Sequence, residues 1–343
     1  MFRLTVILLV LFITVVSVKS AGILSASFWK KEQVEKKRVL EKINVGHLPV
    51  TCHLTCPVTD YTSKTTTTEY EFVSKRFFDF PTIANAIQSK DLMATMMVAP
   101  LAFKLKQDGV PIRICYLGHR DGSQVIVKKN SNYKSIDDLV GKNIAVPSLY
   151  SNQHFVLYAL LKEKGYDVSD VNFIPLPPPE MPMALASGAI DAFFVGEPFP
   201  AKAEMEDVGR VLYLSSEIWP DFISCVLVVH EDLIKNKPDA VKELVRGIAE
   251  SGAWLEENRE QAANLAAEYY NQDVNLLKYI LMAKSPQRVS YINLQPSYAE
   301  FTRINQIGVE IGLLDRMQNI NELVDLSFIP NVVSPAKIEY KKQ

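Results

Sequence analysis

Side chains able to bind or react collect where short apolar runs end. The run at 43–48 (INVGHL) contains His47 and is followed by Thr51, Cys52, His53 and Cys56. The run at 112–117 (IRICYL) leads into His119, Arg120 and Asp121, and 143–146 (NIAV) leads into Ser148, Ser151, Asn152 and His154. The run at 190–195 delivers Glu197. In open α/β sheets, ligands sit beyond the carboxyl ends of the strands. If these runs are strands, the candidate ligand set is His47, Thr51, His53, His119, Ser148, Ser151, Asn152 and Glu197.

Each member suggests its own chemistry. Ser148, Ser151 and Asn152 precede a helical run, so their side chains and the free N–H groups of that helix start would cradle an anion or a polar ligand edge. One of them must also serve as the ordinary N-cap. Glu197 would accept hydrogen bonds from a ligand amine or ligate a metal; a structural salt bridge is the plainer alternative. Cys52, His53, Cys56 and His119 offer thiolate and imidazole ligands to a transition metal. Their C-H-x-x-C spacing matches neither haem attachment nor a paired zinc motif. The simpler reading has histidines donating hydrogen bonds while Cys52 and Cys56 pack or form a disulfide, and Cys115 and Cys225 fill the core. No cofactor is required, and a metal ion stays open. The chain has no G-x-S-x-G, no G-x-x-x-x-G-K-[ST] and no H-E-x-x-H, so nothing marks a catalytic centre.

Apolar runs and helical segments must position these groups. Strand-like runs at 43–48, 92–98, 112–117, 125–128, 143–146, 171–176, 190–195 and 211–214 alternate with helical stretches at 82–89, 102–107, 136–139, 153–164 and 182–187. That alternation predicts an α/β fold with largely parallel sheets. From 238 the pattern turns helical, at 240–258, 259–270, 276–282 and 297–311. Residues 86–100 (AIQSKDLMATMMVAP) and 184–198 (ALASGAIDAFFVGEP) repeat at a constant offset, with Ala86/Ala184, Ser89/Ser187, Ala94/Ala192 and Pro100/Pro198 identical. Two copies are too few for a solenoid and fit two similar lobes.

The first twenty residues read as a secretory signal: Arg3, an apolar run over 4–18, then Ser17, Ser20 and Ala21. Cleavage near Ser20 would remove two basic residues and no acid, moving the net charge from −2 to −4. An uncleaved membrane anchor is the alternative. A charged leader follows at 21–42. With 37 basic and 39 acidic residues in 343, the chain lacks the concentrated basic face of a nucleic-acid binder.

The segment KSIDDLVGKNIAVPSLYSNQHF (134–155), with ALASGAIDAFFVGEPFPAKAE (184–204) and KPDAVKELVRGIAESGAW (237–254), resembles periplasmic solute-binding proteins of ABC importers. The closest group is their nitrate/sulfonate/bicarbonate/taurine-type branch, also known as NMT1/SsuA-like. The resemblance implies a two-lobed periplasmic-binding-protein type II fold with two hinge crossover strands, at 125–128 and 225–229. Lobe one would be 43–127 plus 224–315, lobe two 128–223, with a tail at 316–343. It implies an exported periplasmic or cell-envelope monomer that is not an enzyme. Its partners would be a small polar ligand, an oxyanion or small organic, and an ABC permease in the membrane. The alternatives are a thiamine-pyrimidine-synthesis-like enzyme of the same fold and a receptor for a metal or metal complex.

Overall fold

The computed structural model describes residues 40–50, 54–55, 69–284 and 286–336. Thr51, Cys52, His53, Cys56, the apolar N-terminal run and the end of the tail lie outside the described residues. Among the described residues, no helix is long and apolar enough to cross a membrane.

In chain order the first half contributes β1 (Glu41–His47), β2 (Tyr70–Arg76), α1 (Phe80–Gln88), β3 (Ala94–Met97), α2 (Ala99–Gln107), β4 (Ile112–Asp121) and β5 (Ser123–Lys128). Then come β6 (Asn143–Val146), α3 (Asn152–Glu163), β7 (Asn172–Pro175), α4 (Met181–Ser187), β8 (Ala192–Gly196), α5 (Phe199–Met205), β9 (Gly209–Leu214) and α6 (Ser215–Ile218). The remainder is β10 (Ile223–His230), α7 (Glu231–Asn236), α8 (Pro238–Glu257), α9 (Arg259–Tyr270), α10 (Val274–Leu281), β11 (Val289–Ser290), α11 (Tyr298–Glu310) and α12 (Ile320–Leu323).

Two sheets result, and they share one plan. The first runs β2-β1-β3-β10-β4-β11 and the second β7-β6-β8-β5-β9. In each, two parallel strands precede a third that pairs with the first of them; β1 lies parallel to β2 and β3, as β6 does to β7 and β8. Each sheet then takes in an antiparallel strand that enters from the other sheet: β10 beside β3, and β5 beside β8. The sequence repeat sits at the corresponding place in both. Ser89 Oγ donates to Ala86 O at the end of α1, and Ser187 Oγ donates to Ala184 O at the end of α4. The equivalent Ala94 and Ala192 then open β3 and β8, both wholly buried. Strands covered on both faces are apolar almost throughout, and the one polar residue of β3, the buried Thr95, donates its hydroxyl to Gly46 O at 3.1 Å.

The core follows from side-chain alternation. Along β8, Ala192 and Phe194 join Val125, Val127, Val156 and Leu157 in a cluster confined to the second sheet. Phe193 and Val195 face the other way, into a larger cluster continuous with the first sheet and with Phe301, Leu244 and Ile248. Each fully buried large side chain contributes about 1.5–3 kcal/mol. Helix starts are set locally: Asp79 caps α1 through Thr82 N–H at 2.7 Å, and Ser297 with Glu300 forms a capping box on α11.

The passage between sheets differs from expectation. Residues 125–128 lie inside the second sheet, and the chain leaves the first sheet at Asp121, turns at Gly122 and enters the second at Ser123. The return runs from Leu214 through α6 to Ile223, so 225–229 sits inside β10.

Candidate functional site

The turn at Gly122 is where the two sheets are tied most closely. Its φ of 75° suits glycine, and a Cβ there would stand 2.7 Å from His119 Cε1 and 3.3 Å from Val289 Cγ2. Glu197 N–H donates to Gly122 O at 2.8 Å, Ser123 lies in register with Gly196, and Gln153 Nε2 donates to Ser123 Oγ at 3.1 Å. The expected strand-end groups His119, Glu197 and the start of α3 therefore meet at one crossing.

His119 is fully buried on β4, its ring edge-on to Tyr291 at 5.7 Å. Nδ1 lies 3.0 Å from Arg120 O. A carbonyl only accepts, so Nδ1 carries a proton and Nε2 is the ring nitrogen left over. That Nε2 is buried with no protein partner.

At α3, Ser151 is the N-cap and accepts from His154 N–H at 3.2 Å, while the half-buried Ser148 Oγ accepts from Tyr150 N–H at 3.0 Å. Asn152 reaches back to the first sheet, its Nδ2 donating to Ile223 O at 2.7 Å and Ser224 O at 3.2 Å. That fixes the amide orientation and leaves Oδ1 buried without a protein partner, as is Gln153 Oε1. Gln124, next along β5, buries both amide atoms the same way. His154 is structural: Nδ1 donates to Leu149 O at 2.7 Å, Phe173 lies 4.5 Å away, and burial pushes its imidazole pKa down.

Glu197 is fully buried with both oxygens engaged, Oε1 with Arg288 Nε at 2.5 Å and Oε2 with Ala201 N–H at 2.9 Å. Arg288 also holds Glu204 at 2.6 Å. Burial pushes the Glu197 carboxyl up, opposed by the Arg288 charge and the Ala201 N–H. Arg288 directly precedes β11 of the first sheet, so this is an ion-pair network between the two sheets. It fits the salt-bridge alternative rather than an open carboxylate, because a buried charge must be paired.

His47 closes β1, packed against Tyr269 and Tyr270 at 6.0 and 5.6 Å. Three strand spacings separate β1 from β4, about 14 Å, so His47 and His119 cannot share one ion. Among the described residues, no three His, Cys, Asp or Glu side chains are grouped to hold a metal. Cys115 and Cys225 are buried in strands, and burial pushes the Cys115 thiol up.

Arg288 and Gln153 escaped the sequence reading. Gln153 adjoins the Ser-x-x-Ser-Asn signal, whereas Arg288 lies 91 residues from Glu197 and carries no local mark. Beside Asn152 opens a cavity of about 410 Å³, floored by Trp219, Asp221 and Phe222 and walled by α11, where Arg303 stacks on Trp219 at 3.5 Å. Arg120 lies behind it, bonded to Asp221 O at 2.8 Å and to Glu300 at 2.6 Å.

A model of the NMT1-like family matches residues 37–269. The taurine-binding periplasmic protein of Escherichia coli is 32% identical over 206 residues, 56% of this chain and 63% of that protein. The nitrate import ATP-binding protein NrtC of Synechocystis is 28% identical over 197 residues, 52% of this chain and 29% of that protein. The chain thus spans less than two thirds of the length of these curated relatives. Among solved structures, the ligand-binding component of an ABC-type import system from Staphylococcus aureus, with zinc bound, superposes with a TM-score of 0.75 at 23% identity. That superposition covers 84% of this chain and 97% of the other.

Proposed function

The chain belongs to the NMT1-like family, and from that premise we propose that it is an extracytoplasmic solute-binding protein that passes a small polar ligand to an ABC importer. The observation that carries the reading is the pair of sheets built on one plan, joined by two passages, with buried polar groups of both meeting at the crossing. Taking the two sheets as lobes, capture needs only that they part and close about Gly122 and the 214–223 return. Hinge closure of this kind turns on a few residues that absorb the backbone change. No bond is made or broken, which accords with the absence of a catalytic motif and with relatives whose names describe binding. In this reading the N-terminal apolar run directs export, and the protein works as a monomer.

The test is calorimetric titration of the purified protein with nitrate, bicarbonate, sulfonates, amines and sugars. The expected result is saturable one-to-one binding of at least one compound. The absence of binding across all of these classes would remove the receptor reading.

A further inference from the structure

A second cavity, of about 590 Å³, lies between β4 and α8, a size within the roughly 300–1,000 Å³ of small-molecule sites. The stretch 291–295 after β11, Glu300 of α11 and Val333 of the tail complete its walls. The tail is tied down just beyond, where Ala336 N–H donates to Glu250 O at 2.9 Å. No lining residue falls in 123–214, so the cavity is built without the second sheet.

Tyr116 lines this cavity from β4. Its side chain is only 3% exposed, yet its hydroxyl makes no hydrogen bond among the described residues. A buried tyrosine hydroxyl ordinarily has a partner, and lacking one is costly. A guest in the cavity would supply it. Burial pushes the phenol up to about 12, so the hydroxyl keeps its proton and both donates and accepts.

The charges around the cavity do not balance. Three carboxylates line it, Glu256, Glu300 and Asp221, against one guanidinium, Arg120. Glu256 is met from outside by Arg259 at 2.5 Å, and Glu300 by Arg120 at 2.6 Å. The other bonds of Arg120 go to the carbonyls of Asn293, Asp221 and Gln295. Asp221 remains: it is exposed, and its carboxylate makes no bond among the described residues. His119 and Asp121, on either side of Arg120, do not line the cavity. Ala249, Ala253 and Leu294 give it apolar wall between these polar groups.

We propose that this cavity is a second ligand site, for a small protonated amine carrying a further polar group. The ammonium lies toward Asp221, the apolar body along Ala249, Ala253 and Leu294, and the further polar group bonds the Tyr116 hydroxyl. The site stands apart from the crossing and does not depend on the receptor reading.

The experiment is calorimetric titration of the whole protein with cadaverine and tyramine, each set against its matched acid, pentanoate and 4-hydroxyphenylacetate. At least one amine should saturate, with its matched acid about 10-fold weaker or worse. Tyr116→Phe removes the hydroxyl alone and Asp221→Asn the charge alone; each should weaken the amine about 10-fold. Neither variant breaks a side-chain bond, and asparagine tolerates the φ of 57° at 221, so both should fold. Acids binding as tightly as the amines, no amine binding, or amine binding that neither variant weakens would each overturn the proposal. A compound held at the crossing should bind Tyr116→Phe as it binds wild type, which keeps the receptor reading separately testable.

Discussion

Replacing Arg288 with alanine should lower the stability of the protein by about 3–5 kcal/mol in chemical denaturation. The substitution takes the Arg288 guanidinium away from Glu197, which is fully buried, and from Glu204. Much of the loss is the cost of an unpaired buried carboxylate, so it should be recovered in part when that carboxylate is also neutralised. The double variant Arg288→Met with Glu197→Gln should be less unstable than the two single losses added together. Additive losses would mean that the two residues do not act as a pair. Because Arg288 directly precedes β11 of the first sheet and Glu197 directly follows β8 of the second, the same variant should also loosen the apposition of the sheets. Limited proteolysis should then cut faster in the 214–223 return than in the wild type.

Gly122→Ala should cost about 2–4 kcal/mol, combining the strain of a non-glycine residue at positive φ with overpacking against His119 and Val289. Gly165→Ala is the matching control. Gly165 has a φ of 86°, but nothing lies within 4 Å of its added Cβ, so only the backbone term of about 1–2 kcal/mol remains. The difference between the two variants reads the crowding at the crossing directly. Equal losses would show that His119 yields freely and that the turn is not tightly packed. Gly122→Ala should additionally weaken ligand binding, because it pushes the His119 ring away from its place.

The architecture was legible because its signals are local. Buried parallel strands are apolar along most of their length, so β3, β6 and β8 stand out in the chain, and the Ala-x-x-Ser repeat makes the same side-chain bond at both helix ends. That one of Ser148, Ser151 and Asn152 caps the helix was equally plain, since a hydroxyl or amide before a helical run has a preferred use, and the structure gives that role to Ser151. The crossing point was harder. Residues 118–121 (GHRD) read as a polar loop, yet β4 continues through them. Arg120 is held there by Asn293 O, Gln295 O and Glu300, all more than 170 residues away in the chain. The role of Glu197 was missed in part for the same reason: a carboxylate at a strand end looks free until its partner arrives from a distant segment. Histidines gathered at strand ends suggested a common site, but three strand spacings separate His47 from His119.

The most direct test of the central claim is amide hydrogen exchange on the intact protein, with and without a compound that binds wild type and Tyr116→Phe equally. A guest held at the crossing should slow exchange in 119–124, 151–154 and 196–201 together, from both sheets at once. Slowing confined to one sheet, or centred away from Gly122, would contradict the account.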